Sequence, residues 1–241
     1  AVDKVCELID EHQIDCELGS GNLHLAAKPS HSGELQEELE HLESQYGYQQ
    51  LSYLSPDAVA ERTSAQGFYG ALLDDGCRHL HPLKYAVGLA RAAAEAGVRI
   101  YEHSRAQPAP DGQSGEVKTA QGLVTARHVV LGCNAYLGKL MPRLAGNIMP
   151  INNFVIATEP LPSHLLPRIN RDNLSMSDTL FVINYWKLSE DGRMLFGGGE
   201  NYSSRFPRDV KAFVRPHMLN IYPELEEIDV EYGWGGAVGI T

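Results

Sequence analysis

The stretch that most constrains the fold of this 241-residue chain runs from His81 to Asn134. Pro82 opens a helical pattern, because its fixed φ and missing N–H suit a first helical turn. The expected buried face is Leu83, Val87, Ala90 and Ala94, and Gly97 is the expected stop. Val98 to His103 reads as a strand and is followed by a polar loop from Gln107 to Gly115. Val117–Thr119 and Leu123–Thr125 form a predicted hairpin around Ala120-Gln121-Gly122. His128 to Leu131 is a continuous apolar run, the pattern of a strand buried on both faces. Gly132-Cys133-Asn134 then lies at its carboxyl end, where open α/β sheets place their ligands. This order predicts an α/β chain.

The flanks read differently. Val2, Val5, Ile9 and His12 recur at helical spacing, and Leu23, Leu25 and Ala27 alternate as a strand after the turn Gly19–Asn22. Ser32 is the predicted cap of a helix with Leu35, Leu39, Leu42 and Tyr46 on one face, stopped by Gly47, and Ser55-Pro56 opens a shorter one. From Asn147 the pattern turns to β. Ile148 to Thr158 is a long strand ended by Pro160 and Pro162, and Phe181–Leu188 with Met194–Gly199 is a hairpin. Arg208 to Asn220 is a helix with Val210, Phe213, Val214 and His217 inward. Ile228, Val230 and Tyr232 form a last strand that runs into Trp234-Gly235-Gly236. The chain opens inside a helical pattern without methionine and halts in an apolar, glycine-rich run, so it is expected to be an internal piece of a longer protein.

Composition excludes several classes. Lys and Arg number 20 against 31 Asp and Glu, a net charge of −11, so no basic stripe exists to neutralise nucleic-acid phosphates. Four cysteines without paired spacing argue against a disulfide scaffold or zinc module. No apolar run reaches the ~20 residues of a membrane span and no signal peptide opens the chain, so a cytoplasmic location is expected. Cys77, His79 and His81 alternate at a spacing that suits metal ligands on one strand face, yet no carboxylate or further ligand pair stands beside them, and no metal is expected. No G-x-G-x-x-G occurs. The run starting at Gly197 has Tyr202 in the sixth position, and the run starting at Gly233 has Val238 there.

A family resemblance carries more than spacing does. It rests on His81-Pro82-Leu83-Lys84-Tyr85, Gly88-Leu89-Ala90, Ala96-Gly97-Val98 and Val129 to Tyr136. Further on it includes Ile156 to Leu161, Ser177-Asp178-Thr179, Asp191-Gly192-Arg193 with Phe196-Gly197-Gly198, and Tyr232 to Gly236. In order and over most of its length, the chain resembles the FAD-dependent D-amino-acid/glycine/sarcosine oxidase (DAO-type) family, in particular its γ-glutamylputrescine oxidoreductase-like branch.

The resemblance implies a mixed α/β fold, with part of a Rossmann-type FAD domain interleaved with a mixed-sheet substrate domain. It assigns residues 1–80 to a helical segment and substrate-side strand, 81–145 to the central FAD-binding part, and 146–241 to a mostly β substrate domain. It implies FAD contacts at Arg105, Ala106, Gly132, Cys133 and Asn134, and a substrate pocket at Tyr185, Trp234 and Gly235. The implied reaction is oxidation of an amine or amino acid, with a γ-glutamylputrescine-like substrate and a place in polyamine metabolism. Hydride passes to flavin N5, the imine hydrolyses, and oxygen or another acceptor reoxidises the flavin. The family's dinucleotide fingerprint would precede Ala1 and its last flavin loop would follow Thr241, so the 241 residues alone are expected to be colourless and inactive.

Neither a catalytic residue nor an oligomeric state is readable. Tyr185 and Trp186 point to opposite faces of a strand, so one can line a pocket while the other packs outward. Arg193 is weighed as a carboxylate contact but reads as a solvated turn residue, and Cys133 as a small buried residue. The rival reading is a non-catalytic or regulatory binding domain that keeps the architecture without flavin.

Overall fold

A computed structural model describes residues 1–107, 115–201 and 205–241. Most of the expected loop Gln107–Gly115 and the residue Tyr202 lie outside the described residues. In chain order the elements are α1 (Val2–Glu11), β1 (Gly19–Leu25), α2 (Pro29–Tyr46), β2 (Leu51–Leu54), α3 (Pro56–Ala60), β3 (Ala71–His79) and α4 (Pro82–Glu95). They continue with β4 (Glu116–Lys118), β5 (Leu123–Thr125), a 3-10 turn at Asn134–Leu137, α5 (Pro142–Ala145), β6 (Met149–Pro160) and α6 (Leu166–Ile169). The last are β7 (Ser175–Asp178), β8 (Tyr185–Leu188), β9 (Arg193–Gly197), α7 (Val210–Ile221), a 3-10 turn at Pro223–Leu225 and β10 (Val230–Ile240).

Eight strands form one mixed sheet in the order β10-β6-β9-β8-β7-β1-β3-β2, and β4 and β5 form a separate hairpin. Every neighbouring pair in the large sheet is antiparallel except β1 with β7. Strands from both ends of the chain therefore build the same sheet. Because side chains alternate across a strand, one face carries Leu23, Leu25, Ala71, Leu73, Phe154, Ile156, Met176, Trp186, Met194 and Phe196, all in the main core. Helix α7 closes that core with Val214, Met218 and Ile221. Tyr222 is fully buried behind it, and Trp186 Nε1 donates to the Tyr222 hydroxyl at 2.9 Å.

Several local readings hold. Gly47 ends α2 in the left-handed conformation at φ 64°, and Ser55 caps α3 by accepting from Ala58 N; α7 in addition is capped by Asp209, not singled out in the sequence, which accepts from Ala212 N. The hairpin β4–β5 forms as expected.

Others are corrected. Helix α2 begins at Pro29 rather than after Ser32, since proline supplies a preset first turn. The Ser32 hydroxyl instead meets the Tyr53 hydroxyl at 2.6 Å. Helix α4 turns Gly88 and Ala92 inward and leaves Leu83 67% exposed. The reason is close approach: a Cβ on Gly88 would sit 2.3 Å from Ile14 Cγ2, so the small-residue side faces the α1–Ile14 cluster. On α7 it is Met218, not His217, that is fully buried. Trp186 packs into the core rather than outward.

Val98–His103 and His128–Leu131 form no strands, and Val130 is 92% exposed. An apolar run becomes a buried strand only when neighbours pair with its edges. No described strand pairs with either run. The last strand does not end at Trp234-Gly235-Gly236: after a bulge between Val230 and Tyr232, β10 runs on through these residues in constant register with β6 from Tyr232 to Ile240. A Cβ on Gly235 would lie 2.5 Å from Phe154 Cδ1, so glycine there serves close approach of two strands.

Candidate functional site

The face of the large sheet opposite the core is not wholly covered. Over β1 and β3 it is closed by α2, through Ala26, Leu35 and Leu72. Over β7, β8, β9, β6 and β10 it opens into a cleft of about 1170 Å³, rimmed by Leu80–Lys84 from the start of α4.

Strand register sets what lines this cleft. His24 pairs with Ser177, Ser177 with Tyr185, Tyr185 with Gly197, Gly197 with Val155, and Val155 with Trp234. These six positions make one transverse row on the open face, and all but His24 line the cleft. Two residues further along the strands lies a second row. Asn22 pairs with Ser175, and Lys187 pairs with Leu195 on β9, with Lys187 two positions beyond Tyr185. All four of these side chains also line the cleft. The first row is aromatic and apolar towards Trp234, and the second carries an ammonium.

Local packing fixes each group. Tyr185 lies across Gly197, where a Cβ would come within 2.1 Å of the ring, and its hydroxyl donates to Asn153 Oδ1. Burial pushes the Tyr185 phenol up to about 12, with the Glu200 carboxylate adding to it, so the group is a neutral donor near pH 7 and not a base. Asn22 Nδ2 donates to Ser175 Oγ at 3.0 Å, and Ser175 Oγ donates to Gly21 O at 3.2 Å. His24 Nδ1 meets Ser177 Oγ at 2.9 Å, and burial holds its imidazole below the usual histidine range against the pull of Glu38 and Asp178.

Charge at the rim is paired. Lys84 bridges Glu17 at 2.8 Å and Glu190 at 3.6 Å, and Arg193 bridges Asp191 at 2.6 Å and Glu231 at 2.5 Å. The Arg193 guanidinium also lies 5.4 Å from the centre of the Tyr232 ring.

The expected pocket residues divide. Tyr185 and Trp234 line the cleft in one row, with Trp234 48% exposed. Gly235 lies on the opposite face against Phe154. The expected cofactor residues lie away from this row. Ala106 lines a smaller cavity of about 360 Å³ with Val129 and Leu131, while Arg105 is exposed. Gly132, Cys133 and Asn134 enter the 3-10 turn, where Asn134 has φ 49° and its Oδ1 accepts from Ala135 N and Gly239 N. That tie anchors the turn to the end of β10. Cys77, His79 and His81 do not converge: Cys77 Sγ donates to Asp74, His79 Nε2 meets Asn173 O, and His81 Nδ1 caps α4.

Sequence reading missed Lys187, Asn153, Val155, Ser175 and Leu195. The spacing of Lys187 from Tyr185 was the available signal, since residues two apart share a strand face. Register between strands, which brings the others in, has no local signature.

Comparison with known proteins bears on the same site. A model of the family DAO, described as FAD dependent oxidoreductase, matches residues 1–241. The chain is 37% identical over 236 residues to the gamma-glutamylputrescine oxidoreductase of Escherichia coli, covering 98% of this chain and 55% of that protein. It is also 37% identical over 233 residues to a probable oxidoreductase, OrdL, of Rhizobium meliloti, covering 96% and 54%. The chain thus spans about half the length of the curated relatives it matches. Its fold matches the crystal structure of glycine oxidase from Geobacillus kaustophilus with a TM-score of 0.80 at 20% identity, over 99% of this chain and 64% of that one. Among the described residues no helix is long and apolar enough to cross a membrane.

Proposed function

Because the chain belongs to the DAO family of oxidoreductases, whose cofactor is FAD, we propose that its protein oxidises the C–N bond of an amine or amino acid in the cleft over β8, β9, β6 and β10. The observation that carries this reading is the row Tyr185, Gly197, Val155 and Trp234, an aromatic and apolar wall set on a rigid sheet. When bound, FAD supplies the acceptor for the hydride that leaves the carbon next to nitrogen.

The residues present fit such a group. Gly132 and Cys133 donate no backbone hydrogen bond among the described residues, and a Cβ on Gly132 would meet nothing within 4 Å. Small residues with open N–H groups suit anionic oxygens at close range, so this turn would hold the cofactor's pyrophosphate. Arg105 and Ala106 would lie towards its adenine end. In this reading residues 81–145 serve the cofactor, and the sheet built from 1–80 and 146–241 serves the substrate.

The chain's own part is to select and orient the reactive amine. An ammonium cannot release hydride, and the apolar side chains of Val155, Leu195 and Trp234 disfavour that charged form by withholding water from it. Tyr185 stays a neutral phenol that gives its hydrogen bond to Asn153, and that bond holds the ring flat against Gly197. The likeness to the Escherichia coli gamma-glutamylputrescine oxidoreductase supports a polyamine-derived amine as substrate.

The test is anaerobic. The gene-encoded protein loaded with FAD is mixed with a panel of primary and secondary amines, and bleaching of the flavin's visible absorbance is followed. At least one alkyl amine should bleach it within seconds to minutes. Failure across the whole panel would refute the reading.

A further inference from the structure

Six charged side chains line the cleft: Glu17, Lys84, Lys187, Glu190, Asp191 and Arg193. Five of them are neutralised within the protein, through Lys84 with Glu17 and Glu190 and through Arg193 with Asp191. Lys187 alone among these six makes no hydrogen bond or ion pair with the described residues. Its stem rises from the middle of β8, between Ser175 on one side and Leu195 on the other, and it is half-buried. Burial pulls its ammonium below the usual lysine range, although the field of Glu17 works the other way. Glu17 is already taken up by Lys84 at 2.8 Å.

A half-buried cation without a partner is costly unless a ligand supplies the anion. We propose that Lys187 is the specificity-determining residue of this cleft and receives a carboxylate on the substrate, several atoms away from the C–N bond that is oxidised. The spacing supports this separation. Lys187 is two residues beyond Tyr185 on one strand face, about 7 Å at the usual rise of a strand. A compact α-amino acid, with amine and carboxylate on one carbon, does not bridge the aromatic row and the ammonium row. An amine whose chain ends in a carboxylate does. This inference rests on the proposed amine oxidation for its substrate class, but its test does not.

The probes are butyrate and butyramide, which match in size, differ in charge and carry no amine to oxidise. Their binding to the FAD-loaded, gene-encoded protein is read from perturbation of the flavin's absorbance spectrum. Butyrate should bind about tenfold to a hundredfold more tightly than butyramide, the scale of a hydrogen bond to a charged group. In K187M that preference should vanish, and in K187R it should return. K187R restoration separates the effect from a misfolded variant, for which both arms would fail together. Equal binding of butyrate in the wild type and K187M, or no preference in the wild type, overturns the proposal. If butyrate binds as expected while no amine bleaches the flavin, amine oxidation fails and the anion site stands.

Discussion

Replacing Gly197 with alanine probes the cleft directly. The new Cβ would lie 2.1 Å from Tyr185 Cζ and 2.5 Å from its hydroxyl, whereas carbon atoms pack at about 3.5 Å or more. The ring must therefore withdraw by about 1.4 Å, the difference between ~3.5 and 2.1 Å. Gly197 does not sit at positive φ, so alanine brings no backbone strain. Loss of the Tyr185–Asn153 hydrogen bond costs about 0.5–1.5 kcal/mol. Reduced freedom of the unfolded chain offsets about 0.4–1 kcal/mol of that. Net destabilisation stays below ~1 kcal/mol, a shift in Tm of at most about 2–4 °C for a chain of this size.

The site suffers far more, since a displacement of ~1 Å in a substrate-positioning group can lower the rate by about a hundredfold. G197A should thus lower kcat/KM by about two orders of magnitude while the thermal melt barely moves. In a Y185A background there is no ring to displace, and G197A should then change little, within the ~0.5 kcal/mol of independent sites. The assay is steady-state oxidation by the FAD-loaded protein alongside thermal unfolding of all four variants. An equal effect of G197A in both backgrounds, or none in the wild type, would show that Tyr185 does not shape the cleft.

Y222F should destabilise by about 1–3 kcal/mol, because the buried Trp186 Nε1 loses its acceptor. T63V should cost less, since the Tyr222 hydroxyl retains Ile169 O at 3.3 Å as an alternative acceptor; urea melts followed by tryptophan fluorescence would expose a reversed order. Burial holds His24 and His79 below the usual histidine range, with His79 further lowered by Lys187. Below the unfolded value of ~6.5 the unfolded state binds more protons, so stability should fall as pH drops from 7 towards these depressed values and be flat above 7. H24Q should reduce the fall measured between pH 7 and 5, and an unaltered slope would count against the buried histidine as its source. The Cys77 thiol is pushed up to about 11 by burial and by its bond to Asp74, and burial also raises Cys16. Iodoacetamide at pH 8 should modify Cys77 and Cys16 last in the native protein, as peptide mapping would report.

Features set by neighbouring residues were legible without a structure. Gly47, the Ser55-Pro56 start and the β4–β5 hairpin each follow from residues within a few positions of one another. Features set by distant contacts were not. Leu83 and Val87 look like a buried helical stripe, but the side of α4 that faces inward is decided by how closely Ile14 can approach Gly88. Val129-Val130-Leu131 has the composition of an interior strand and no described strand beside it. The glycines of β10 read as the limit of the last strand because nothing local reveals that Phe154 lies beneath Gly235. At the site, Tyr185 and Trp234 are singled out through family likeness, while Lys187, two positions beyond Tyr185 on the same strand face, emerges only once the rows are aligned.

The lone parallel pairing in the large sheet has a consequence for how the molecule is made. Strands β2, β3 and β1 can assemble early, and β7, β8, β9, β6 and β10 form a second group from the later part of the chain. Between the groups there is a single seam, where Asn22 meets Ser175 and Leu25 meets Asp178. During synthesis the first group must wait, with one ladder edge unsatisfied, until the ribosome has released Asp178. That delay leaves an interval in which a chaperone, or another nascent copy, competes for the open edge of Gly19–Leu25.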